Sequence, residues 1–251
     1  MESPLRSILA PLSVFVALGV AWELAIRIAR LPPLILPGPG DVLAAMRDDA
    51  AALLAGAWAT LSEIVIASLL AIAAGFATAL AMSMSATARR VIFPYMLMTQ
   101  VMPKVALAPI LVAWFGTGFE ARLVLAFLIA YFPMVINTMT GLVATGEPMV
   151  RYAQSLAASE WQLLFKVRLP AAMPAIMGGV KITTAVAVIG IVVGEFVASD
   201  NGLGKVIIDS VADLDTALTI AATLAIALLG LAILGLLELV DRRVIYWKAG
   251  R

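Results

Sequence analysis

Apolar residues run along this chain for about 20 positions at a time before charges, Pro or Gly interrupt them. Six such runs stand out, at 8–28, 57–84, 92–115, 121–145, 172–197 and 216–240. Each is long enough, as a helix, to cross ~30 Å of hydrocarbon. The pattern predicts an all-α integral membrane protein of about six transmembrane helices, forming one domain over 1–251. The first run exceeds the ~7–15 apolar residues of a secretory leader. Glu23, Arg27 and Arg30 follow it in place of a small-residue cleavage site, so it reads as a membrane helix.

Two stretches between the runs have a different rhythm. Residues 41–55 are interrupted by Arg47, Asp48 and Asp49. They read as an amphipathic helix on the outer surface, with Asp41 after Pro39-Gly40 as its N-cap, packed as a lid over the bundle. From Thr145 to Pro174 the chain is too polar to cross and too apolar for a solvated loop. Glu147-Pro148 suits a helix start. Met149, Tyr152, Ala153 and Leu156 then follow at helical spacing, and Trp161, Leu164 and Phe165 form a second apolar set. A pair of short amphipathic helices is predicted at 146–171. Their polar positions (Arg151, Gln154, Ser155, Ser159, Glu160, Gln162) are nearly balanced in sign. A helix lying on lipid headgroups carries mainly basic residues there, so a protein groove is the better partner.

Composition sharpens this picture. The chain is 63% hydrophobic and 13% charged, with a mean hydropathy of +1.05. Neither Cys nor His occurs, which excludes disulfides, thiolate nucleophiles and imidazole-based zinc or haem sites. A net charge of +1 offers no basic field for nucleic acid. With the N-terminus inside, the inner segments carry ten basic residues: Arg6, Arg89, Arg90, Arg151, Lys166, Arg168, Arg242, Arg243, Lys248 and Arg251. The outer segments carry five, namely Arg27, Arg30, Arg47, Arg122 and Lys205. The excess places both termini in the cytoplasm, although Arg27 and Arg30 pull the other way.

The 145–174 stretch resembles the cytoplasmic EAA loop of binding-protein-dependent ABC permeases: Glu-Ala-Ala, three residues, Gly, nine residues, then Ile-x-Leu-Pro. The family Pro falls on Pro170, its Leu on Leu169, its Ile on Val167, its Gly on Ala157 and its Glu-Ala-Ala on Arg151, Tyr152 and Ala153. Arg151, Tyr152 and Ala157 depart from the pattern. If the family Gly serves a left-handed turn, Ala157 would cost on the order of 1 kcal/mol there, so the loop is expected to turn differently or stay right-handed. The strings MPKVALAPILVAWFGTG, YFPMVINTMTGL and GEFVASDNGLG are similar to those of sulfonate, nitrate and taurine permeases.

These resemblances imply an importer permease of type I-like fold in the bacterial inner membrane, acting as a homodimer with two cytoplasmic ATPases and an extracytoplasmic solute-binding protein. ATP and Mg would belong to the ATPase, since no GxxxxGK[ST] loop occurs here; the chain is expected to carry no cofactor, metal or catalytic residue. Arg151, Tyr152, Ala153, Leu156, Ala157, Val167, Leu169 and Pro170 would couple it to the ATPase. The implied solute is a small anion such as a sulfonate, taurine or nitrate, or alternatively a vitamin precursor or aromatic compound.

Polar residues within apolar runs are costly and are therefore candidates for a translocation path. Lys104 and Gln100 lie in the third run, where Pro103 and Pro109 interrupt backbone bonding. The cation could attract an anionic solute, or form an ion pair with Glu63 or Glu195. Asn137 reads as an interhelical hydrogen-bonding group or a ligand, and Glu195 as part of an outer gate. Gly230 and Gly235 are expected to permit close helix contacts. The rival reading is an ATP-independent secondary transporter, but residues 1–120 and 121–251 lack the similarity of an inverted repeat.

Overall fold

A computed structural model describes residues 4–245, and every regular element among them is helical. The first helix, α1, covers Pro4–Ala29, and α2 covers Pro39–Asp48. The surface helix is thus shorter than the expected 41–55. It starts at Pro39, whose missing N–H suits a first turn. Asp41 stands at the third helical position instead of the N-cap, accepting a hydrogen bond from the Gly38 N–H at 2.9 Å. Residues 50–55 belong to the next helix, α3, Ala50–Met84. At 1.5 Å per residue, its 35 residues exceed the hydrocarbon thickness, so it projects beyond it.

The third apolar run is not one straight helix. It divides into α4, Ala86–Val101, a single 3-10 turn at Lys104–Leu107, and α5, Ala108–Phe115, with the two arms bent by 84°. Pro103 supplies the reason. The residue before a proline is pushed out of the helical region, and Met102 is extended at φ −66°, ψ 130°. Next come α6, Phe119–Val143, and α7, Glu147–Ser155. A helix running without interruption from Glu160 to Val197 follows, made of α8 (Glu160–Leu163), a π turn (Leu164–Arg168) and α9 (Leu169–Val197). Last are α10, Leu203–Ala212, and α11, Thr216–Val244. The helices α3, α6, Glu160–Val197 and α11 are each long and apolar enough to cross a membrane, and the bent α4–α5 pair makes a fifth crossing if counted as one.

Contacts along the helices fix their directions. Helix α9 runs antiparallel to α6: Gly141 abuts Ala172, Gly179 abuts Asn137, and Gly190 abuts Ala126. Helix α3 runs parallel to α6, because Glu63 meets Arg122 and Gly75 meets Met134. Two parallel neighbours require the chain between them to return across the bilayer. The α4–α5 pair makes that return and is therefore a broken span. The bundle has two ends. One carries residues 85–90, α7 and the C-terminus of α11; the other carries α2, residues 116–122 and α10.

The α6–α9 seam is built from small residues. A Cβ on Gly190 would lie 2.6 Å from the Cα of Ala126. In lipid no hydrophobic force drives helices together, so close backbone approach and dense packing must do it. Gly230 and Gly235 do not serve this purpose: apart from their own helix backbone, no described residue comes within 4 Å of a Cβ built on either. Helix α11 instead presents exposed Leu228, Leu231, Leu236 and Leu239, and an ionic tie holds it to α9. The Lys181 Nζ reaches Glu238 Oε2 at 2.6 Å and also pairs with Asp241.

Candidate functional site

The α7 helix begins at Glu147-Pro148 and ends in a defined turn. Ala157 has φ +55°, a left-handed conformation. The Ala158 N–H donates to the Ala153 carbonyl at 3.2 Å and the Ala157 N–H to that of Gln154 at 2.9 Å, the paired bonds of a Schellman motif. The expectation that Ala157 would turn differently or stay right-handed is therefore corrected. The turn is the one a Gly would make, and the bonds and the helix after it hold Ala157 in a conformation that costs its Cβ on the order of 1 kcal/mol. Ser159 then caps α8: its hydroxyl accepts from the Gln162 N–H while the Gln162 side chain accepts from the Ser159 N–H.

This turn exposes the apolar stripe. Tyr152 is 67% and Leu156 66% exposed, joined by Met149 and by Trp161 and Phe165, whose rings stack at 5.7 Å. Arg151 is exposed too and is bound by Glu147 through a fork on the same helix, so its reversed charge is largely cancelled locally. Of the other coupling candidates, Ala153 and Val167 are half-buried and Pro170 is exposed at the start of α9. Leu169 does not face outward. Its side chain packs against the core of Met134, Leu142, Leu164, Ala172 and Ile176, so it belongs to the shaft of the helix and not to its outer face.

Beside the break between α4 and α5, midway along α6, lies a cavity of about 380 Å³. Lys104 lines it, and its Nζ donates to Gln100 Oε1 at 3.0 Å. Of the four path candidates these two alone come together. Asn137 sits behind Gly179 and donates to the Pro133 carbonyl at 2.8 Å, spending its amide within the α6–α9 seam.

Glu195 lies in a buried clamp at the α10 end. It accepts from the Thr60 hydroxyl and from the Gly204 N–H, both at 2.7 Å, while Thr60 accepts from the Leu203 N–H. Next to it Arg122 donates to Glu63 at 2.9 Å through Nε and also reaches the carbonyls of Thr117 and Ala198. Neither Glu63 nor Glu195 is thus a partner for Lys104. The clamp ties α3, α6, α9 and α10 at one end, opposite the exposed stripe.

Thr60, Glu63 and Arg122 were not singled out as a site from the sequence, nor was Lys181 with Glu238 and Asp241. The available signal was that each charge lies in or beside an apolar run and must find a partner. The aromatic lining of the cavity gave no such signal, since Phe127 and Tyr131 look like ordinary span residues.

The family described as "Binding-protein-dependent transport system inner membrane component" matches residues 67–246. A probable ABC transporter permease protein of Haemophilus influenzae is 35% identical over 90% of this chain and 92% of its own length. The formylaminopyrimidine transport permease ThiX of Halalkalibacterium halodurans is 32% identical over 78% of each chain. The taurine transport system permease TauC of Escherichia coli is 28% identical over 96% of this chain and 90% of its own. Among solved structures, the inward-facing MetNI methionine ABC transporter superposes with a TM-score of 0.66 at 17% identity, over 79% of this chain and 97% of that one.

Proposed function

The chain belongs to the family of binding-protein-dependent transport system inner membrane components, the permeases of ABC importers, and from that premise we propose that two copies of it pair to form the pathway of a bacterial inner-membrane importer. Each copy docks one cytoplasmic ATPase, which holds the ATP and Mg, and an extracytoplasmic binding protein delivers solute at the α10 end. The single observation that carries the reading is the uncovered apolar stripe of Met149, Tyr152 and Leu156 beside the stacked Trp161–Phe165 pair.

That stripe sits at the foot of a long lever. Because Glu160–Val197 is one continuous helix, a push on the stripe moves α9 as a body, and α6 moves with it through the small-residue seam. The buried clamp around Glu195 and Arg122 holds the far end, so displacement is greatest at the α7 end. ATP binding can shift the balance between inward-open and outward-open packings only by as much as it prefers one of them. Arg89, Arg90, Arg151, Lys166, Arg168, Arg242 and Arg243 cluster at the α7 end, which favours placing that end and both termini in the cytoplasm. Lys248 and Arg251, counted for the same side, lie outside the described residues. The solute in this reading is a small anion met by Lys104.

Purification with its partner subunits is the test. The double substitution Tyr152→Asp with Leu156→Asp changes only exposed side chains. It should abolish copurification of a P-loop ATPase and ATP-driven uptake while leaving the helical circular dichroism and thermal midpoint of the permease in place. Retention of the ATPase and of uptake in that variant refutes the docking assignment.

A further inference from the structure

We propose that the solute carries a planar aromatic or heteroaromatic ring next to its negative charge, and that the cavity between α4 and α6 holds that ring. The inference rests on the importer reading above and narrows its solute. Four rings line the cavity: Tyr95 from α4, and Phe127, Tyr131 and Phe132 from α6. The Phe127 and Tyr131 rings are themselves paired at 5.5 Å. The polar atoms nearby are largely spent. The Tyr131 hydroxyl donates to Thr78 at 2.7 Å and the Thr99 hydroxyl to the Met96 carbonyl at 2.8 Å. The exceptions are the exposed Tyr95 hydroxyl, which bonds to no described residue, and the Lys104 ammonium. The ammonium has three donors and uses one on Gln100, with no other acceptor among the described residues.

A lining of this kind discriminates between classes of anion. A compact, wholly polar solute would leave its water for a wall offering one ammonium and few other donors, and unreplaced hydrogen bonds cost several kcal/mol. A ring-bearing anion incurs the same cost for its charged group, but its ring loses little by leaving water. Its ring packs against aromatic neighbours in offset or edge-to-face geometry, and its charge meets Lys104. The cavity also adjoins the extended Met102-Pro103 break, and transporters bind their solutes where a spanning helix is interrupted. Tyr95 is 67% exposed, so the cavity opens sideways. The rival occupant is a lipid chain, which would suit the aliphatic part of the wall (Val91, Ile92, Leu107 and Leu128) but leaves the cation at mid-depth without a counter-charge.

Three sulfonates separate these possibilities, tested on the permease–ATPase assembly in nanodiscs by saturation-transfer NMR titration. Benzenesulfonate and hexanesulfonate share a headgroup and a carbon count, and taurine lacks the apolar body. Benzenesulfonate should bind about 10-fold more tightly than hexanesulfonate, with taurine weakest. Phe127→Leu, which keeps most of the volume, should erase the preference for the ring, and Lys104→Met should weaken both apolar sulfonates. Equal binding of the two six-carbon probes identifies a lipid-like groove and overturns the inference. So does tighter binding of taurine, or no binding of benzenesulfonate. In each of those cases the ATPase stays on the permease, so the importer reading survives; the docking assignment is tested separately, by whether the folded permease keeps its ATPase when the α7 stripe is disrupted.

Discussion

Ala157 shows how a single side chain can resist the conformation its position demands. Its φ of +55° places the Cβ against the following carbonyl, yet the Ala153 and Gln154 carbonyls and the Ser159 cap after it over-determine the turn. Ala157→Gly should therefore strengthen the α7–α8 corner by on the order of 0.5–1 kcal/mol. Amide exchange at residues 156–160 should slow several-fold, and faster exchange would contradict the strain. The spacing of the family motif exposed the position but not the outcome, because a Gly in the motif says that a left-handed residue is wanted without saying whether the loop can force an Ala into it. Glu63 and Arg122 are a harder case. Each was visible as a charge, but they meet across 59 positions and buried on both sides, and no periodicity along the chain encodes that meeting.

At the level of elements, what could be read was what leaves a local pattern. The α7 helix was legible because an amphipathic stripe without a bilayer-length run has few other uses. Its expected short partner was not: α8 runs on through the π turn into α9, so the span begins at Glu160 and not near 172. The break near residue 102 was legible because Pro103 acts on its own neighbour. The surface helix at 41–55 was misjudged at its end, since Asp49 and Ala50 give no stop signal to separate α2 from α3. The α6–α9 seam was not legible at all. Gly190 matters because Ala126 faces it, and Gly230, which looks no different in sequence, faces no neighbouring helix among the described residues. Their substitution should therefore diverge. Gly190→Val places side-chain atoms against the Ala126 backbone and should cost about 1–3 kcal/mol or more, lowering the thermal midpoint of the purified permease by several degrees or preventing its accumulation. Gly230→Val should leave the midpoint within experimental scatter. Similar midpoints for the two variants would mean the seam is looser than the 2.6 Å approach requires.

On the scale of the whole molecule, the parallel pairing of α3 and α6 carries the topology. It obliges the 84° bent pair α4–α5 to traverse the bilayer and so sets Thr87 and Thr117 on opposite sides. A re-entrant pair would leave both on the same side and make α3 and α6 antiparallel, which the Glu63–Arg122 and Gly75–Met134 contacts forbid. The chain has no native cysteine, so single introduced thiols report without background. In intact spheroplasts a membrane-impermeant maleimide should label Thr117→Cys and Asp200→Cys, whereas Thr87→Cys and Ser155→Cys should label only after permeabilisation. Thr87→Cys and Thr117→Cys reacting from one side would dismantle the broken-span topology. The four sites reacting in two correct pairs but with the sides exchanged would keep the fold and invert the orientation, putting the α7 stripe outside and removing the cytoplasmic ATPase from it.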